Sequence, residues 1–197
     1  MYNLFRELLR IFYKLLFRFE VSGRDNIPKE GGVIVASNHL SFLDPPFVGM
    51  AIKRRATFMA HSGLFRIPLL GKFVSSFSIP VDRHNPKPST VKEAVRILRK
   101  GGLIVIFPEG TRSSTGSIGE EKRGAASIAA LSGAAVVPAR IEGTEKALPV
   151  GARFIRPKKI RITFGEPITR RADESGKDYQ NRLSENLLEI IKNLRFS

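Results

Sequence analysis

Apolar and polar residues follow two rhythms along this chain, and the change comes near Gly23. Over residues 1–20 the apolar side chains, among them Leu4, Phe5, Leu8, Leu9, Ile11, Phe12, Leu15, Leu16, Phe17 and Phe19, are interrupted by Arg6, Arg10, Lys14 and Arg18. Steps of four on a helix of 3.6 residues per turn advance by about 40° each, so the cations form one slowly drifting stripe. The pattern predicts a basic amphipathic helix with a wide aromatic and aliphatic face. A membrane-spanning helix would carry a cation into hydrocarbon at about 2.5–3.5 kcal/mol near the centre. The uninterrupted apolar runs, such as Ile11–Tyr13, are also too short for the core of a signal peptide. Two placements fit: in a membrane interface, with Arg and Lys among the headgroups, or packed on the protein's own domain.

Beyond Gly23 strands alternate with helices. Val33–Ala36 reads as a buried strand, and Asp44-Pro45 as the N-cap and first turn of a helix running to about Lys53. Thr57–Ala60 is a short strand, and the Gly- and Pro-punctuated stretch from His61 to Lys72 holds short helical turns. Phe77–Val81 is a strand. Ser89 is placed as the cap of a helix with Val91, Ala94, Val95 and Leu98 on one face, stopped by Gly101-Gly102. Leu103–Phe107 is an apolar strand leading into a polar loop from Pro108 to Gly119. Gly124–Ser132 is a small-residue helix and Ala135–Ile141 a strand. Residues 147–161 form an irregular basic loop, Ile160–Phe164 a strand, and residues 173–194 a helix burying Leu183, Leu187, Ile190, Ile191 and Leu194. The order predicts an α/β fold with a single mixed, mostly parallel sheet flanked by helices. The division expected is an N-terminal amphipathic helix over 1–22 and one catalytic domain over 23–197.

Charge narrows the partners. Thirty-three Lys and Arg against eighteen Asp and Glu give a formal charge of +15, which calls for an anionic partner such as a membrane surface, an acidic carrier or a phosphorylated substrate. Nucleic acid is disfavoured, because the aromatics cluster in the apolar helix and no nucleic-acid-binding signature is present. The chain has no cysteine, which excludes disulfides, thiolate nucleophiles and cysteine-ligated metals.

Four blocks carry candidate chemistry, each at the end of an apolar strand. In Asn38-His39-Leu40-Ser41-Phe42-Leu43-Asp44 a histidine precedes an aspartate by five residues. If Asp44 binds one ring nitrogen, the other is left as a base near neutral pH. Five residues on a continuous helix would separate the two side chains, so the pairing requires a turn. The alternative is that Asp44 only caps a helix and His39 is a loop residue. In Phe107-Pro108-Glu109-Gly110-Thr111-Arg112-Ser113, Gly110 permits a tight turn, Thr111 can donate to a phosphate, and Arg112 can clamp one through two bonds. Ile79-Pro80-Val81-Asp82-Arg83 is a strand ending in a charge pair, and Val136-Val137-Pro138-Ala139 an apolar strand with a proline. Lys122 is either a further phosphate or carrier contact or a solvated lysine. No role falls to His61 or His84.

Taken in this order, the blocks resemble the four motifs of the PlsC-type glycerophospholipid acyltransferases, the 1-acylglycerol-3-phosphate acyltransferases. NHLSFLD matches the His-x4-Asp motif, SIPVDR the arginine-ended strand, FPEGTRS the third motif letter for letter, and VVPAR, more loosely, the fourth. The resemblance implies transfer of a fatty acyl group from acyl-CoA or acyl carrier protein to lysophosphatidic acid, giving phosphatidic acid, with no cofactor and no metal. His39 would be the base and Asp44 its partner. Arg83 and Arg112 would hold the acceptor phosphate, and Gly110 and Thr111 would shape the loop. Glu109 would brace that loop or bind the glycerol. The absence of cysteine and of a Gly-x-Ser-x-Gly elbow agrees with direct attack rather than an acyl-enzyme. The expected location is the cytoplasmic face of a membrane, in a monotopic arrangement. Acylation of glycerol 3-phosphate or of another lysophospholipid is the alternative within the family. A basic membrane-binding protein without catalysis is the alternative outside it.

Overall fold

The computed structural model describes residues 16–82, 87–109 and 124–196. Seven strands form one sheet: β1 (Glu20–Ser22), β2 (Val33–Ser37), β3 (Ala56–His61), β4 (Ser78–Val81), β5 (Leu103–Ile106), β6 (Ala135–Glu142) and β7 (Arg161–Phe164). The helices are α1 (Asp44–Ala51), α2 (Leu70–Ser75), α3 (Pro88–Arg99), α4 (Gly124–Ser132), α5 (Thr144–Ala147) and α6 (Gly176–Asn193), with short 3₁₀ turns at Arg24–Asn26 and Ser62–Arg66. The strand order is β1-β7-β6-β2-β5-β3-β4, and every neighbouring pair is parallel except β6 with β7. The carboxyl ends of β2, β5, β3, β4 and β6 therefore share one edge of the sheet with the amino ends of β7 and β1. The expected single, mostly parallel sheet is present.

The central strand β2 is buried at all five positions, as a strand covered on both faces must be. Its side chains alternate between two cores. Val33 and Val35 join Leu103, Val105, Val137 and Ile162 in one layer, closed by Phe47 and Val48 of α1 and by Phe17 and Phe19. Ile34 and Ala36 join Ile104, Ile106 and Val136 in the other, closed by Ala94 and Leu98 of α3, Ala126 and Ile128 of α4, and Leu183 and Leu187 of α6.

Several expectations are corrected in detail. Asp44 is not a cap but the first residue of α1, and Ser89 is the second residue of α3, whose first position is taken by Pro88. A proline there brings a fixed helical φ and a missing donor the helix does not need. Ile190 is exposed, and Tyr179 and Leu188 are buried in its place on α6. The body of the expected N-terminal helix, residues 1–15, lies outside the described residues. Its end does not: Phe17 and Phe19 sit in the core, edge-on to Phe47 at centroid distances of 5.2 and 5.0 Å, and β1 extends the sheet alongside β7. Residues 20–22 thus form a strand of the sheet, and Phe17 and Phe19 pack in its core.

The amino edge of the sheet is closed by Arg54, whose guanidinium donates to the carbonyls of Pro28 (2.7 Å), Gly31 (2.8 Å) and Gly101 (2.6 Å). Partial burial pulls its pKa below the usual arginine value, yet the charge strengthens each bond. That edge is structural, and the opposite edge is left for chemistry. Phe47→Ala is expected to cost about 3–5 kcal/mol, because it empties the junction of α1, β2 and the Phe17–Phe19 segment. Urea denaturation of the purified variant measures it.

Candidate active site

The carboxyl edge begins where β2 stops. Ser37 still pairs with Ala139, but the next residue, Asn38, continues the ladder with its side chain. Its Nδ2 donates to the Ile141 carbonyl at 2.9 Å, and its Oδ1 accepts from the Ile141 amide at 2.8 Å. The amide side chain thus imitates a strand residue, and the backbone is released to turn. Residues 41–43 form that turn, closed by the Asp44 amide donating to the Ser41 carbonyl at 3.2 Å. The Ser41 hydroxyl ties it to the Leu148 carbonyl at 2.9 Å.

The turn brings Asp44 back towards the strand end. One oxygen, Oδ2, accepts from the Leu40 amide at 2.6 Å and from the Ser41 amide at 2.7 Å, and lies 2.8 Å from His39 Nδ1. Backbone amides can only donate, so Oδ2 is an acceptor, and the proton on the imidazole sits on Nδ1. Nε2 is left with its lone pair. Asp44 is fully buried and makes no capping bond to its own helix, so the cap reading is excluded.

The third block completes the seat of the ring. Phe107, just past β5, stacks on the His39 imidazole with centroids 4.3 Å apart and planes 25° from parallel. Glu109, also buried, accepts from the His39 backbone amide through Oε1 at 2.9 Å. The backbone of His39 is therefore held from β5 and its ring from α1. The structure brings His39, Asp44 and Glu109 together. Arg83, Gly110, Thr111 and Arg112, with Lys122 and His84, lie outside the described residues. His61, the last residue of β3, makes a local contact, its Nδ1 accepting from the Gly63 amide at 3.2 Å. The fourth block is part of β6 and serves the site through Ile141, three residues beyond Pro138.

Sequence reasoning did not find the pairing of Asn38 with Ile141, the stacking by Phe107, or the Ser41–Leu148 bond. Asn38, Ser41 and Phe107 stood inside the motifs, but their partners are distant in sequence, and Leu148 carries no signal at all. Among the described residues no cluster of His, Asp and Glu could hold a metal ion, and no helix is long and apolar enough to cross a membrane.

A buried aspartate orienting a histidine at a sheet edge is a device for moving a proton off a hydroxyl, and comparison with known proteins agrees in kind. The family model described as Acyltransferase matches residues 18–142, which include Asn38, His39, Asp44, Phe107 and Glu109. The chain is 31% identical over 170 residues to the 1-acyl-sn-glycerol-3-phosphate acyltransferase of Bacillus subtilis, covering 85% of this chain and 82% of that protein. It is 33% identical over 162 residues to the chloroplastic 1-acyl-sn-glycerol-3-phosphate acyltransferase LPAT1 of Arabidopsis thaliana, covering 80% of this chain but only 44% of the plant protein. The crystal structure of the PlsC acyltransferase of Thermotoga maritima superposes with a TM-score of 0.75 at 28% identity, over 95% of this chain and 77% of that one. The chain belongs to the acyltransferase family, in its PlsC-type 1-acyl-sn-glycerol-3-phosphate acyltransferase branch.

Asn38→Asp keeps an acceptor for the Ile141 amide but sets a carboxylate against the Ile141 carbonyl. A loss of about 1–3 kcal/mol in stability is expected, measured by chemical denaturation.

Proposed function

We propose that the protein transfers a fatty acyl group from an acyl thioester to the free hydroxyl of 1-acylglycerol 3-phosphate, forming phosphatidic acid. The observation that carries this reading is the His39–Asp44 pair: Nδ1 is committed to Asp44 Oδ2, and Nε2 is free to take a proton. His39 accepts the acceptor's hydroxyl proton as the oxygen attacks the thioester carbonyl. Asp44 keeps the tautomer and stabilises the imidazolium that forms. When the tetrahedral intermediate collapses, the carbon–sulfur bond breaks and the departing thiolate takes the proton back. No group on the protein is acylated. Arg83 and Arg112 hold the acceptor phosphate, with Gly110 and Thr111 shaping the loop between them, and Glu109 braces the backbone under the base.

The substrates are amphiphiles, and the protein works at the surface of an anionic membrane, on the cytoplasmic face, without crossing it. Three features support this placement: the surplus of fifteen positive charges, the basic amphipathic pattern of residues 1–20, and exposed aromatic side chains. Phe42, in the His39–Asp44 turn, is 62% exposed, and Phe154, in the basic loop after β6, is 81% exposed.

His39→Ala is expected to lower turnover by about 10²–10⁴-fold, with the circular dichroism spectrum unchanged. The assay supplies 1-acylglycerol 3-phosphate with acyl-CoA or acyl carrier protein and follows phosphatidic acid; retained turnover would remove His39 from the mechanism. Arg83→Ala and Arg112→Ala are expected to raise KM for the acceptor, read in the same assay over a range of acceptor concentrations. Removal of residues 1–15, which spares Phe17 and Phe19, is expected to abolish co-sedimentation with anionic liposomes.

A further inference from the structure

Beside the His39 turn, on the flank away from Phe107, the carboxyl edge opens into a cleft of about 490 Å³. Asn38 and Leu40, the two neighbours of His39 in sequence, line one wall, and the rest comes from the end of β6, the segment leading into β7, and Arg18. Six cations line it against two carboxylates. Three of the six are already engaged: Lys159 with Glu20 at 2.6 Å, Arg161 with the same carboxylate at 3.2 Å, and Arg140 with Glu142 at 2.9 Å. The second lining carboxylate, Glu145, accepts from the Gly143 amide at 2.9 Å. Arg18, Lys146 and Lys158 remain as positive charge directed at a concave surface.

The floor of the cleft is rigid. Gly143 has φ +94°, and a Cβ there would lie 2.1 Å from the Lys159 carbonyl oxygen, so the end of β6 is held hard against the chain entering β7. Lys146 and Lys158 are thereby brought into one wall although they lie twelve positions apart in the chain. A fixed concave surface with unpaired cations suits a phosphate, and it is lined by Asn38 and Leu40, which flank His39 in the chain.

We propose that this cleft binds the phosphate of the acyl donor's pantetheine arm, whether that arm belongs to coenzyme A or to an acyl carrier protein. The inference rests on the acyl-transfer reading. It also divides the labour of the edge: the acceptor phosphate goes to the arginines that follow β4 and β5, and the donor comes from the side of β6 and β7. The thioester then meets the hydroxyl at His39 from the opposite flank. The sequence makes the basic Arg153–Arg161 stretch a candidate contact for anionic lipid, for an acidic acyl carrier protein or for the phosphates of coenzyme A; the joining of Lys158 with Lys146 and Arg18 is a product of the fold.

The test is Lys146→Glu combined with Lys158→Glu, assayed with acyl-CoA, with acyl carrier protein, and with the acyl thioester of N-acetylcysteamine, which carries no phosphate. The donor KM is expected to rise at least tenfold with a phosphorylated donor, while kcat, the acceptor KM and all constants with the N-acetylcysteamine thioester stay within twofold. The paired Lys→Arg variant should restore the donor KM. A rise with only one phosphorylated donor still supports the cleft and identifies which donor it serves. An unchanged donor KM overturns the inference, as does an equal rise with the phosphate-free thioester or a rise confined to the acceptor. Loss of binding to anionic vesicles with the donor KM unmoved also overturns it and makes the cleft a lipid contact. Failure of the wild-type protein to transfer from any of the three donors would instead sink the acyl-transfer reading itself.

Discussion

One carboxylate oxygen, Oδ2 of Asp44, organises the site. It takes the Leu40 and Ser41 amides and the His39 ring together, so the turn and the seat of the imidazole cannot form independently of each other. A buried carboxylate is costly unless its hydrogen-bonding capacity is met. Here the three donors that meet Oδ2 are the same groups that shape the turn and select the imidazole tautomer, while Oδ1 is buried with no hydrogen-bond partner among the described residues. The order of the backbone and the order of the imidazole are therefore one interaction, and losing either partner leaves a buried charge or an unheld ring.

That arrangement depends on the sheet beneath it. Asn38 holds the end of β2 to β6 through two bonds, Glu109 holds the His39 amide from β5, and Phe47 roots α1 in the core three residues after Asp44. The three anchors come from β6, β5 and α1, which meet only because β2 runs between β5 and β6. Parallel strands bring their carboxyl ends to one edge, where loops are free to carry polar groups while the strands themselves stay apolar. The antiparallel turn into β7 adds the ends of two more strands and their cations to that edge.

Much of the fold was legible because the strands are buried on both faces and read as short apolar runs bounded by Gly and Pro. Helix α4 was read with its observed ends, and β2, β5 and β6 to within a residue. The misjudged details have local causes. Ser89 looked like a cap because serine often is one, but Pro88 before it suits the first helical position better. Asp44-Pro45 looked like a capped helix start, and the carboxylate instead turned back towards residues 39–41, where three donors outcompete one helix amide. Phe17 and Phe19 continued the amphipathic pattern of the preceding residues, and nothing local distinguishes an aromatic that meets lipid from one that meets Phe47.

By itself the sequence determined the class of fold, the charge, the order of the four motifs and which histidine is the candidate base. Those are properties of composition and of short-range spacing, where period and residue chemistry are enough. Tertiary structure decided which partner Asp44 chose, that Glu109 braces the His39 backbone, that Phe107 seats its ring, and that Lys146 and Lys158 share a cleft with Arg18. Each of these joins groups through a change of chain direction. Hydrogen-bond geometry and packing select such contacts only after the sheet has set which strand ends are neighbours.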